Sequence, residues 1–105
     1  HVGARRRTAY CATKHAVEGL TKAMAVELAP RGVRVVAVAP TFVETPLTAP
    51  FFADPSFREE TLAQIPLGRL GAPSEVAGAI VFAASPAAAL MTGSSLRLDG
   101  GWTAR

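Results

Sequence analysis

Tyr10-Cys11-Ala12-Thr13-Lys14 opens an alanine-rich stretch that runs to about residue 28. Ala12, Ala16, Val17, Leu20, Met24 and Leu28 recur at steps of three and four, a stripe that predicts a helix over 9–28. Positions four apart on a helix lie about 40° apart around the axis and about 6 Å along it, so the phenol of Tyr10 and the ammonium of Lys14 share a face. A free phenol titrates at about pH 10 and exchanges protons poorly at neutral pH, and a fixed cation nearby favours its anion. The spacing therefore sets a proton carrier beside a group able to activate it. A tyrosine and a solvated lysine on an ordinary amphipathic helix would show the same spacing, so the meaning of the pair depends on the rest of the chain.

Pro30 and Gly32 are expected to stop this helix, with Glu18 and Lys22 as a favourable pair on its wetter side. Residues 33–39, Val-Arg-Val-Val-Ala-Val-Ala, are nearly all apolar and rich in β-branched side chains, the pattern of a strand buried on both faces in a parallel sheet. Pro40 ends it. Residues 46–66 then carry several prolines, a short polar helix candidate over 55–64, and aromatic residues that, with Phe42, look exposed. So long an excursion suggests a lid over a ligand, or else an arm that packs on another subunit.

Pro73-Ser74-Glu75 has the form of a first helical turn, with proline early and an acid near the positive end of the dipole; the helix should run to about residue 84. Ser95-Leu96-Arg97-Leu98 reads as a strand and Asp99-Gly100-Gly101 as a turn. A strand, helix, strand unit of this size is a parallel crossover, which makes the fold class α/β.

Half of the 105 residues are hydrophobic and only 18% are charged, few for a small protein that covers its own surface, so much apolar surface is expected to meet something else. The net charge is +3, and Arg5-Arg6-Arg7 is read as a solvated loop because no aromatic residues interleave with it. No nucleic-acid partner is expected. One cysteine, Cys11, excludes an internal disulfide and offers no metal cluster, which fits a reducing, cytoplasmic setting. No secretory leader is apparent, and the longest apolar run, 76–91, is broken by Ser85-Pro86 and is too short to span a membrane. The sequence begins with histidine and reads as a processed chain or a fragment.

Four motifs in order resemble the C-terminal half of a short-chain dehydrogenase/reductase: Tyr10-x-x-x-Lys14; Pro40 to Thr45-Pro46; Arg69-Leu70-Gly71-Ala72-Pro73-Ser74-Glu75-Val76-Ala77; and Thr92-Gly93-Ser94-Ser95-Leu96-Arg97-Leu98-Asp99-Gly100-Gly101. The resemblance covers essentially the whole chain and implies one NAD(P)-binding, Rossmann-type, doubly wound parallel sheet. Its C-terminal portion would be present as helix, strand, lid, helix and strand, and its N-terminal half absent. It further implies that hydride passes between NAD or NADP and an alcohol or ketone. Tyr10 would exchange a proton with the substrate oxygen, while Lys14 would hold the nicotinamide ribose and ease that exchange. Pro40, Thr41, Val43 and Thr45 would line the cofactor, Val43 through backbone groups and Thr45 through its hydroxyl. Phe42, Phe51 and Phe52 would face substrate, and the intact protein would be a homo-oligomer, dimer or tetramer.

The chain departs from the pattern at Thr41, where the family has glycine, so a side chain stands beside the cofactor. The glycine-rich nucleotide loop is missing from these residues, and only nine residues precede Tyr10, too few for the family's catalytic serine. Without a pyrophosphate site or that serine, the chain alone is expected to be inactive. The alternative is a non-catalytic remnant that serves as an interaction module.

Overall fold

The computed structural model describes residues 8–104, and the Arg5-Arg6-Arg7 run lies outside them. Helix α1 spans Thr8–Leu28 and is followed by a 3-10 turn at Ala29–Arg31. Gly32 has a φ of 72° and donates its N–H to Ala29 O at 2.9 Å. The helix therefore ends where Pro30 and Gly32 predict, since the left-handed turn suits a residue without Cβ.

The remaining elements are β1 (Ala37–Pro40), α2 (Ala49–Phe52), α3 (Pro55–Ala63), α4 (Pro73–Ala84) and β2 (Ser95–Leu98), with 3-10 turns at Pro86–Ala88 and Trp102–Ala104. β1 and β2 pair in a two-stranded sheet. Ala37 donates to Ser94 O and Thr41 to Leu98 O, both at 3.0 Å; equal steps in the same direction make the strands parallel. With α4 between them in sequence, they form the expected crossover.

The strand expected over 33–39 is shorter, later and wetter than its composition suggests. It starts at Ala37, because upstream the Val35 N–H bonds the Thr92 hydroxyl (3.1 Å) where a ladder would offer a carbonyl. Its residues are half-buried or exposed, having one strand neighbour among the described residues.

The chain divides into two compact units, His1–Ala37 with Phe82–Leu96 and Val38–Val81 with Arg97–Arg105. In the first, the covered side of α1 is not the expected stripe. Thr21 and Ala25 are buried, and the Ser95 hydroxyl reaches both Glu18 carboxylate oxygens at 2.7 and 2.6 Å. Glu18 thus lies on the packed side, whereas Val17 and Leu20 are about half exposed (49% and 58%). Close approach explains the choice: a Cβ on Gly93 would stand only 3.4 Å from the Ala25 Cβ, so small residues face each other here. Arg34 secures the same unit by donating to Met91 O (3.2 Å) and Ser85 O (3.4 Å).

In the second unit, Ile65 and Leu70 are the buried hydrophobic residues. Asp54 caps α3 by accepting the Ser56 N–H at 3.0 Å, with Pro55 in the first turn, so the helix predicted over 55–64 forms as Pro55–Ala63. The Asp99 carboxylate ties the last turn together, accepting from the Thr103 hydroxyl (2.6 Å) and from the N–H groups of Gly101 and Thr103 (both 3.0 Å). The Thr103 hydroxyl, most of all, holds its carboxyl below the usual range.

At the start of α4, Arg69 grips Glu75 through two bonds of 3.0 and 2.7 Å, and the Ala72 N–H donates to the same carboxylate at 2.8 Å. Glu75 occupies the third helical position and reaches back to the residue before the helix, as in a capping box. The Arg69 guanidinium first, and the Ala72 N–H second, lower its carboxyl from 4.5 to about 2. Because the folded-state value is the lower one, the stabilisation is complete above pH 4.5 and disappears as pH falls through about 2. Glu75→Gln is therefore expected to be less stable than wild type at neutral pH, with a gap that narrows below pH 4.5; denaturant melts across that range should show it, and a constant gap would sink the idea.

Gly100 sets a sharper constraint. Its φ is 59°, and an added Cβ would lie 2.5 Å from Cγ2 of the buried Ile65. Left-handed strain together with overpacking puts the cost of Gly100→Ala on the order of 3 kcal/mol. An unchanged denaturation midpoint would contradict this account.

Candidate active site

Tyr10 and Lys14 lie near the start of α1, both exposed. Lys14 Nζ stands 5.3 Å from the centroid of the Tyr10 ring, within cation–π range, so ring and ammonium share one face as the four-residue spacing predicts. Thr13 and His15 bond back to the carbonyls of Tyr10 and Cys11, both at 2.8 Å, and leave that face to the pair. Cys11 is half-buried.

The other candidates belong to the second unit. Pro40 ends β1, exposed, and Thr41 continues the ladder through its bond to Leu98, so a non-glycine residue is accommodated there. Val43 forms an isolated parallel bridge with Gly71. Gly71 N–H donates to Phe42 O and Glu44 N–H donates to Gly71 O, both at 2.9 Å. In a trans peptide N–H and C=O point opposite ways, so both bonds turn the N–H and C=O of Val43 to the side away from Gly71. The carbonyl there receives the Thr48 hydroxyl at 2.6 Å, and the N–H has no partner among the described residues. An N–H without a partner on a half-buried residue could donate to the carbonyl oxygen of a carboxamide, so this edge could hold the nicotinamide end of a dinucleotide.

Thr45 and Thr48 exchange bonds. Thr45 N–H donates to the Thr48 hydroxyl oxygen (3.0 Å), Thr48 N–H donates to the Thr45 hydroxyl oxygen (3.2 Å), and the two hydroxyls are 3.2 Å apart. They form a capping box for the turn into α2. The Thr45 hydroxyl is thus already part of the local structure. Thr48 did not stand out from sequence, although Thr45-Pro46-Leu47-Thr48 carries the signal: a hydroxyl residue, proline in the first turn, and a second hydroxyl three places on.

The aromatic residues differ from expectation. Phe42 and Phe52 are packed, not exposed: their ring centroids are 5.5 Å apart and nearly perpendicular, and Phe57 lies 5.4 Å from Phe52. Trp102 closes the cluster 5.8 Å from Phe42, a contact no local pattern announces. Phe51 alone among the four phenylalanines of this region is exposed, at 56%. In the first unit an open depression of about 490 Å³ lies beside Arg34, Val33 and Ser85, and none of the candidate residues lines it. Among the described residues, no three His, Cys, Asp or Glu side chains gather to hold a metal, and no helix is long and apolar enough to cross a membrane.

Comparison with known proteins follows the same lines. The family profile described as enoyl-(acyl carrier protein) reductase matches residues 1–103. The chain is 49% identical over 96 residues to galactitol 2-dehydrogenase (L-tagatose-forming) of Cereibacter sphaeroides, covering 91% of this chain and 38% of that protein. It is 50% identical over 95 residues to a 3-oxoacyl-(acyl-carrier-protein) reductase of Vibrio harveyi, covering 90% and 38%. Among solved structures, gluconate 5-dehydrogenase from Burkholderia cenocepacia, in complex with NADP and tartrate, superposes with a TM-score of 0.95 at 34% identity, over all of this chain and 41% of that one. A 4-hydroxyisoleucine dehydrogenase complexed with NADH gives 0.89 at 36% identity, over 92% and 40%. The chain spans about 38% of the length of the curated relatives it matches. With its Tyr10 and Lys14 on one helical face, its Val43 loop and its match along residues 1–103, the chain belongs to the short-chain dehydrogenase/reductase family and carries the signature of that family's C-terminal half.

Proposed function

We propose that the protein is an NAD(P)-dependent oxidoreductase acting on an alcohol or ketone, with Tyr10 as its proton carrier. The observation that carries this reading is the placement of the Lys14 ammonium over the Tyr10 ring in a chain of this family. Solved relatives hold NADP or NADH, and curated relatives include a sugar-alcohol dehydrogenase and an oxoacyl reductase.

When bound, the nicotinamide supplies or accepts hydride. Tyr10 gives a proton to the substrate oxygen in reduction and takes one in oxidation. Lys14 binds the nicotinamide ribose and stabilises negative charge at the phenol oxygen. The Val43 N–H holds the carboxamide, Thr45 supports the same end, and Pro40 and Thr41 line the cofactor. Residues 46–66 act as the lid that keeps water from the reacting atoms, with Phe51 offering an apolar surface to substrate and the Phe42, Phe52 and Phe57 cluster stiffening it. No G-x-G-x-x-G turn occurs in the 105 residues, so the pyrophosphate is held by residues outside them and this stretch alone turns over no substrate. The exposed Val17 and Leu20 favour a homo-oligomer, and the single cysteine favours the cytoplasm.

In the whole protein, Tyr10→Phe is expected to lower turnover by at least about a hundredfold while nucleotide binding stays unchanged. Spectrophotometric assays of NAD(P)H with sugar alcohols and 3-oxoacyl thioesters, beside a fluorescence titration of nucleotide, measure both. Wild-type turnover in Tyr10→Phe would overturn the assignment. Lys14→Met should weaken nucleotide binding and also alter the pH profile of kcat/KM, a double effect that loss of a merely surface lysine would not produce.

A further inference from the structure

Thr48 makes more bonds than a helix cap needs. Its hydroxyl accepts the Thr45 N–H at 3.0 Å and donates to Val43 O at 2.6 Å, with Thr45 O a more distant acceptor at 3.2 Å. A hydroxyl can do both because it has one proton and two lone pairs. The residue that usually closes a capping box from this position is a glutamate or glutamine, and a carboxylate there could accept from Thr45 but could donate nothing to Val43. The bond to Val43 is therefore a separate task.

Its consequence lies in the peptide between Val43 and Glu44. One face of that peptide is fixed by the bond from Glu44 N–H to Gly71 O at 2.9 Å, and the other by Thr48. With its carbonyl already engaged by Thr48, the outer edge of Val43 presents the N–H as its free group. We infer that Thr48 is a positioning residue for the cofactor: by engaging the Val43 carbonyl it locks the Val43–Glu44 peptide and so sets the edge that Val43 turns to the nicotinamide carboxamide. This rests on the functional reading above.

Three substitutions separate this role from capping. Thr48→Ser keeps the acceptor and the donor, Thr48→Asp keeps the cap and turns the donor into a repelling charge, and Thr48→Val loses both. Amide hydrogen exchange of the protein without cofactor gives the direct readout. In Thr48→Asp the Glu44 amide should exchange at least tenfold faster, while the Ala49 and Ala53 amides, bonded to Thr45 O and Ala49 O, keep their protection. With cofactor, Thr48→Asp should raise KM for NAD(P) about tenfold at an unchanged melting temperature, and Thr48→Ser should restore the wild-type value. Unchanged Glu44 exchange in Thr48→Asp, or loss of protection at Ala49 and Ala53 as well, would overturn the inference. Wild-type protein that binds neither NAD nor NADP would instead defeat the dehydrogenase reading, and the Glu44 exchange would still decide whether Thr48 locks that peptide.

Discussion

Two hydrogen bonds made by one residue, Gly71, govern the geometry of the candidate cofactor loop. Its N–H donates to Phe42 O and its carbonyl accepts from Glu44 N–H, so the two peptides flanking Val43 are held from one side and the N–H and C=O of Val43 point to the other. A Cβ there would make only ordinary contact, 3.6 Å from Phe42 O and from Val43 Cγ2, so it is the backbone of Gly71 that forms the clasp. A single ladder rung would be marginal in water, and here the Arg69 and Glu75 pair on either side of Gly71 in sequence supports it, Glu75 bonding both Arg69 and the Ala72 N–H.

The same economy runs through the segment that follows the Val43 loop. Residues 46–66 contain two short helices, neither long enough to be stable alone; the Thr45 and Thr48 exchange ties the turn that leads into α2, and Asp54 caps α3. Edge-on packing of Phe42 against Phe52 and Phe57 then joins this segment to the candidate cofactor loop through side chains. Trp102 and the Asp99 turn complete this unit, with Gly100 passing so near Ile65 that a methyl group has no room. Phe51, the exposed aromatic of the segment, is the exception within a packed cluster.

Helix α1 shows a different balance. Its packed side is drawn by Thr21, Ala25 and the Glu18 bond to Ser95, and its larger apolar side chains remain in solvent. Burying a threonine is tolerable because its hydroxyl returns to Val17 O at 2.8 Å. Low charge and exposed Val17, Leu20 and Met24 agree with a stretch whose relatives are more than twice as long.

The order of elements was legible from residues alone, because it depends on local chemistry. Gly32, Pro55, Pro73 and the Ser95–Leu98 stretch set boundaries within a residue or two of those observed, and helical spacing by itself put Lys14 on the face of Tyr10. Which face of α1 is covered, where β1 begins, and which phenylalanines pack together were settled only in three dimensions. Each depends on a partner distant in sequence: Gly93 against Ala25, the Thr92 hydroxyl at Val35, Trp102 against Phe42. Periodicity reveals that a side chain has somewhere to go, and only the folded chain supplies the neighbour that decides whether it goes there.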